Sequence, residues 1–230
     1  YAPNGLQVEG RDTISRLALG VTASADVIQQ AVAWGADALL VHHGYFWRNE
    51  PPVLTGMKGQ RVRALMNHQM SLIAYHLPLD CHAEFGNNKA LLDQLGLVGG
   101  QPIAEENGLL WSVPLPNAMT IDQLALQVQS ALGRAPMVIE SSRGSEILSR
   151  LVVCTGGAQD YLTKALSYGA DVYLSGEISE RTTHEARELG VHYIAAGHHA
   201  TERYGIQALG QKLASTLGVD VAFFDDHNPA

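Results

Sequence analysis

Short, wholly apolar runs alternate along this chain with longer segments whose apolar residues recur every three or four positions. Ala38-Leu39-Leu40-Val41 is one such run. It has no polar alternation, which predicts a strand covered on both faces of its sheet. Leu72 to Tyr75, Val152 to Cys154 and Val172 to Leu174 read the same way, as does Val191 to Ala195 apart from His192. Between them, the spacing of Val27, Ile28, Ala31 and Val32 predicts a helix, as does that of Leu162, Ala165 and Leu166. Gln60 to Gln69 and Ser179 to Leu189 predict two more. Ile121 to Leu132 predicts another, with Thr120 as its cap and Gly133 as its stop. A last helix is predicted from Ala200 to about Leu217 on the spacing of Ile206, Leu209, Leu213 and Leu217.

The order of elements repeats. Gly35-Ala36-Asp37 separates the first predicted helix from its strand, and Gly169-Ala170-Asp171 does the same later, at an offset of 134 residues (169 minus 35). Glycine suits a helix end because it tolerates a left-handed backbone. Each segment reads as strand, helix, strand, the βαβ unit of a parallel sheet. The predicted fold is therefore α/β: two related lobes, their mostly parallel sheets covered by helices, with a metal site in the cleft between them. Residues 1–98 plus 198–230 form the first predicted lobe and residues 99–197 the second. Gly96 to Pro116 is read as a boundary region, with a possible strand over Leu109 to Val113.

Composition narrows the class. Of 230 residues, 46% are hydrophobic and 17% charged, enough apolar material for a packed core and too little charge for a large disordered region. A net charge of −8 argues against non-specific binding to a phosphate backbone. No apolar run approaches the roughly 20 residues needed to span a bilayer, and there is no signal-peptide pattern. Cys81 and Cys154 do not resemble a disulfide framework, so a reducing, cytoplasmic setting is expected. The chain opens at Tyr1-Ala2-Pro3-Asn4 without a methionine, and an amino-terminal element is expected to precede it.

Candidate chemistry gathers at predicted strand ends. His42-His43-Gly44 closes one buried run, and open α/β sheets form their ligand crevices at the carboxyl ends of strands. His76-Leu77-Pro78-Leu79-Asp80 follows another, with Pro78 disfavouring a helix there. His198-His199-Ala200-Thr201-Glu202 follows a third and opens the last helix, where positions i and i+4 share a face. His42, His43, Asp80, His198 and Glu202 form a mixed nitrogen and oxygen ligand set. It suits two divalent ions of zinc, iron, manganese, cobalt or nickel, with one carboxylate bridging. His76 and His199 read equally as proton carriers or as structural hydrogen-bonding groups. Glu177 either lines the same cleft, with a catalytic role beside His76, or caps the following helix. His82 and His184 are equally open. His68, His192 and His227 read as structural. Thr155-Gly156-Gly157 reads as a tight turn with some substrate role, and Cys81 as an inert thiol. Arg48, Lys58, Arg61 and Arg203 are scattered candidates for holding a phosphate.

Taken together, Asn4-Gly5-Leu6-Gln7-Val8, His42-His43-Gly44, His76 to Asp80 and Gly197-His198-His199-Ala200-Thr201-Glu202 resemble the YbgI-type, or Nif-three-like, family, in particular its gamma-proteobacterial members. Members carry the label GTP cyclohydrolase 1 type 2 homologue. The resemblance extends along the whole chain. It implies a dinuclear site with ligands at His42, His43, Asp80, His198 and Glu202, and Glu202 as the bridge. It also implies a toroidal homohexamer, a trimer of dimers, with sites facing an internal cavity. The implied activity is a metal-dependent hydrolase acting on a small molecule, such as a nucleotide or a purine- or pterin-type ring. The alternative is a non-enzymatic metal-binding or regulatory ring that engages a protein partner or nucleic acid, of which the acidic balance disfavours nucleic acid.

Overall fold

A computed structural model describes the backbone of residues 1–230 and every side chain except those of residues 116–118. The chain divides into two units. The first holds residues 1–79 and 206–227, the second residues 80–205 and 228–230.

The first unit contains β1 (Gly5–Val8), β2 (Arg16–Thr22), α1 (Ala25–Trp34), β3 (Ala38–His43), α2 (Gly56–Asn67), β4 (Ser71–Ala74), the one-turn α3 (Leu77–Asp80), which ends at the boundary, α9 (Arg203–Leu217) from Ile206 onward, and β11 (Asp220–Phe223). The sheet order is β1-β4-β3-β2-β11, all parallel except β1. The unbroken apolar run of β3 is explained by cover on both faces. Leu39 and Val41 join Val27, Ile28 and Ala31 of α1 and Val62 and Leu65 of α2. The alternate residues, Ala38 and Leu40, join Ile206, with Leu209 and Leu213 of α9 packed against them. Leu39 and Leu40 are at most 1% exposed, so truncating either to alanine costs about 2–5 kcal/mol.

The second unit contains α4 (Asn87–Gln94), β5 (Gln101–Pro102), β6 (Trp111–Met119), α5 (Ile121–Leu132), β7 (Met137–Ile139), β8 (Leu148–Cys154), α6 (Leu162–Ser167), β9 (Val172–Ser175), α7 (Glu180–Leu189), β10 (His192–Ala195) and the one-turn α8 (His198–Thr201). Its sheet order is β5-β6-β8-β9-β10-β7. Only β8, β9 and β10 are mutually parallel, so this sheet is mixed. Leu91 and Leu92 of α4 and Leu124 and Val128 of α5 cover one face. Leu162 and Ala165 of α6 and Ala186 of α7 cover the other.

The predicted duplication is present in the topology. β2, β3 and β4 run parallel with β1 antiparallel beside β4, and β8, β9 and β10 run parallel with β7 antiparallel beside β10. The repeated aspartate performs the same task in both. Asp37 Oδ2 accepts from the backbone N–H groups of Ser15 and Arg16 at 2.8 and 2.9 Å. Asp171 Oδ2 accepts from those of Ser149 and Arg150 at 2.8 and 3.0 Å. Each aspartate thus ties the start of its own strand to the start of the neighbouring one. Ser15-Arg16-Leu17 and Ser149-Arg150-Leu151 share the 134-residue offset, an identity the sequence reading overlooked.

Several elements differ from expectation. α5 has the predicted bounds, with the Thr120 capping box and Gly133 at φ 70°. Pro78 does not prevent a helix: it occupies the second position of α3, where its missing N–H has no helical partner to lose. The last predicted helix is broken, because Glu202 (φ −107°, ψ 5°) interrupts the path between α8 and α9. The units part at 79/80 and 205/206, where the sequence reading drew 98/99 and 197/198; α4 belongs with the second core. The boundary region Gly96 to Pro116 holds β5 and the start of β6, and the side chain of its last residue lies outside the described ones.

Candidate metal centre

In the first unit, β3 delivers two imidazoles at its carboxyl end. His42 is fully buried and His43 partly so. His42 Nδ1 lies 2.9 Å from the carbonyl oxygen of Tyr75, just past β4. A carbonyl only accepts, so Nδ1 carries the proton and the lone pair resides on Nε2, the form that binds a metal. His43 Nδ1 and Thr22 Oγ1 are 3.1 Å apart. His76 follows β4, and one ring nitrogen from each of His42, His43 and His76 lies within 4.8 Å of the other two.

The amino-terminal segment holds this turn in place. His76 N–H donates to Asn4 Oδ1 at 2.9 Å, and Tyr45 N–H to Gln7 Oε1 at 2.8 Å. A Cβ at Gly44 would overlap that Gln7 oxygen, which explains the glycine after the histidine pair. Beyond it, Phe46 adopts φ 65°, a costly conformation for a bulky residue. Glu50 Oε2 stabilises it by accepting from the N–H groups of Phe46 and Trp47. Lys58 Nζ sits 3.4 Å from Glu50 with its side chain 10% exposed. Lys58 is thereby engaged in holding this turn, which sets the Trp47 ring 4.8 Å from that of His76.

In the second unit, Asp80 (8% exposed) and Glu202 (3% exposed) offer carboxylate oxygens within 4.8 Å of each other. Asn87 Nδ2 donates to Asp80 Oδ1 at 2.8 Å; no sequence signal marks this buried amide beyond its place at the start of α4. His198 lies between two carboxylates, with Nδ1 2.7 Å from Glu177 Oε1 and Nε2 3.2 Å from Glu202 Oε2. Burial pushes the His198 pKa down, but Glu202 and then Glu177 outweigh it and raise it to about 9. Glu177 does not cap α7. Ser179 does, its N–H donating to Thr182 Oγ1 at 3.2 Å.

The Thr155-Gly156-Gly157 turn faces these groups. Gly156 N–H donates to Thr201 Oγ1 at 3.1 Å, and its carbonyl accepts from the N–H groups of Gly176 and Glu177. A Cβ on Gly156 would overlap Glu202 Oε1 and stand 3.2 Å from His198 Nε2.

The remaining histidines have local tasks. His192 Nδ1 accepts from Ser141 N–H and its Nε2 donates to the Ser145 carbonyl. His68 donates to the Ala64 carbonyl. His82 accepts from the Glu84 and Phe85 N–H groups, and His184 pairs with Glu180 on the exposed face of α7. His199 is buried and His227 exposed. Cys81 and Cys154 are free thiols, both pushed up in pKa by burial and then by Asp80, which disfavours a nucleophilic role for Cys81.

The first unit therefore presents imidazole nitrogens after β3 and β4, and the second an imidazole and two buried carboxylates, with no thiolate among these grouped donors. In the first unit the His42 tautomer, and separately in the second the close, buried Asp80–Glu202 carboxylates, are of kinds that could bind a divalent cation. Among the described residues, no helix is long and apolar enough to cross a membrane.

Comparison with known proteins gives consistent results. The family model described as Duf34/NIF3 (NGG1p interacting factor 3) matches residues 1–229. A GTP cyclohydrolase 1 type 2 homolog of Allochromatium vinosum is 53% identical across 100% of this chain and 90% of its own length. The Vibrio cholerae protein of the same name is 48% identical, covering 100% and 91%. The solved structure of protein ybgI matches with a TM-score of 0.95 at 45% identity, over 100% of this chain and 92% of that one. A Thermus thermophilus protein matches at 0.91 and 32% identity, over 100% and 90%.

Proposed function

Because this chain belongs to the Duf34/NIF3 family, we propose that it is a hydrolase dependent on two divalent metal ions. His42, His43, Asp80, His198 and Glu202 are the residues that would hold them. The buried Asp80–Glu202 carboxylate pair carries this reading, since two carboxylates this close inside a protein call for a cation or a shared proton. Bound divalent ions supply Lewis acidity and activate water near neutral pH. The chain's own residues hold and orient the reactants. Tyr75 fixes the His42 tautomer through its carbonyl, and Asn87 orients Asp80. His76 is proposed to carry a proton to or from the reacting group, a reading supported by its ring nitrogen lying within 4.8 Å of those of His42 and His43.

The substrate class follows the names of the relatives, GTP cyclohydrolase 1 type 2 homologs: a nucleotide or a related purine- or pterin-type ring, opened by attack of water at carbon. A homo-oligomer, a toroidal hexamer in this proposal, is supported by Met57 and Met66 of α2 and Leu6 of β1, each more than half exposed.

Elemental analysis of protein purified without added metal tests the centre, with close to two ions per chain expected. His42→Ala and Glu202→Ala must both lose metal and, in a screen against nucleotides and phosphoesters, turnover. Metal-loaded parent protein inactive across that screen would favour the non-enzymatic metal-binding reading. Variants that lose metal yet keep a confirmed activity would overturn the mechanism.

A further inference from the structure

His198 Nδ1 lies 2.7 Å from Oε1 of Glu177, a carboxylate outside the proposed ligand set. A carboxylate only accepts, so His198 Nδ1 donates and keeps its proton. That leaves Nε2, which faces Glu202, as the ring's coordinating nitrogen. A carboxylate behind a ligating imidazole fixes the ring's tautomer and orientation and raises its basicity.

The main chain around Glu177 is held firmly. Tyr193 Oη donates to its carbonyl at 2.5 Å, and its N–H donates to the Gly156 carbonyl at 3.2 Å. The internal duplication gives this position further meaning. At the 134-residue offset, Glu177 corresponds to His43 and Gly176 to His42. A Cβ at Gly176 would stand 2.6 Å from the Gly156 carbonyl oxygen and 2.7 Å from His198 Cα. An imidazole therefore has no room where the second copy of this strand end passes the His198 backbone. The first copy offers two imidazoles, whereas the second offers a bare glycine and a carboxylate that serves an imidazole from the next strand end.

We infer that Glu177 is a positioning residue, which locks His198 in the Nδ1–H tautomer and aims Nε2 at a divalent cation. This rests on the metal-centre reading above.

The test uses zinc alone, titrated against a competing chromophoric chelator, on the full chain and on Glu177→Ala, Glu177→Gln and His198→Ala. Long-range proton–nitrogen spectra of histidine-labelled, zinc-loaded protein report which His198 nitrogen carries the proton. Glu177→Ala is expected to weaken zinc binding about 10–100-fold and to lose the fixed Nδ1–H signal. Glu177→Gln keeps an acceptor at that place and is expected to retain the signal and most of the affinity. His198→Ala should weaken zinc binding at least as much as Glu177→Ala. If His198→Ala weakens binding while Glu177→Ala matches the parent in affinity and spectrum, this inference fails and the metal centre stands. A lower melting temperature for Glu177→Ala with unchanged zinc affinity likewise overturns it, since that marks a purely structural role. If His198→Ala itself leaves zinc binding unchanged, the metal-centre reading falls, and this inference with it.

Discussion

Gly156→Ala separates backbone strain from ligand displacement. Gly156 sits at φ 71°, and an added methyl would overlap Glu202 Oε1. Gly133, at the end of α5, has nearly the same backbone, φ 70°, with nothing within 4 Å of an added Cβ. Both substitutions incur the left-handed penalty of about 1–2 kcal/mol. In a chain of this size that lowers Tm by about 2–4 °C per kcal/mol. Only Gly156→Ala also drives a carboxylate from its place. Because Glu202 is 3% exposed and packed beside His198, it has little room to give. Metal sites tolerate ligand shifts of about 0.2 Å, so this displacement should weaken zinc binding about tenfold or more. Gly133→Ala should leave zinc binding as in the parent. Thermal melts and chelator competition on both variants decide the matter. Parent-like affinity in Gly156→Ala, or an equal loss in Gly133→Ala, would refute the reasoning.

Three further expectations follow from the geometry. In metal-free protein His198 should titrate near pH 9, visible in its ring proton shifts, because its folded pKa is raised from 6.5 to about 9; the stability from its carboxylate partners is then full below pH 6.5 and lost as pH rises through about 9, and a midpoint near 6.5 would contradict the double pairing. Burial pushes the Asp37 and Asp171 carboxyls up, but the Arg16 and Ser15 backbone N–H groups outweigh it at Asp37, and the Ser149 hydroxyl followed by the Ser149 and Arg150 backbone N–H groups outweighs it at Asp171, so both lie below the usual 3.8. Their stabilisation is present above pH 3.8 and lost as pH falls through the lowered values, and Asp37→Asn or Asp171→Asn should each cost about 1–3 kcal/mol in urea denaturation at pH 7. Gln69 is exposed at φ 51° just past α2, so Gln69→Gly should stabilise the fold by about 1 kcal/mol; a lower Tm for that variant would show that the Gln69 side chain contributes more than its strain costs.

Local rules made much of this fold legible. Threonine and glycine bracket α5 because capping and left-handed closure are decided within a few residues. The unalternating β3 run signalled burial on both faces because its two sets of side chains do meet different helices. The histidine pair was legible as the end of that same run, where His42 and His43 group with His76. What stayed hidden depends on tertiary contact. The break at Glu202 lies inside a segment with good helical spacing, and only its surroundings interrupt it. Nothing in the pattern around residue 87 indicates that Asn87 reaches Asp80. α4 gave no sign of its unit, because apolar spacing says that a helix packs and not which sheet receives it. Glu177 was legible as an acidic residue at a strand end, and its 2.7 Å contact with His198 was not.

The first sheet is closed by β11, a strand made some two hundred residues after β1. As the chain leaves the ribosome, residues 80–205, all of the second unit but its short tail at 228–230, emerge as one continuous stretch before β11 is made. The opening seventy-nine residues cannot complete their own sheet until Asp220–Phe223 has been made. Pairing across that much sequence is slow, and during the delay β2 presents an unsatisfied edge. Order of synthesis therefore runs against completion of the first sheet, and a chain stalled between residue 205 and β11 would carry most of the second unit while β2 remained an open edge.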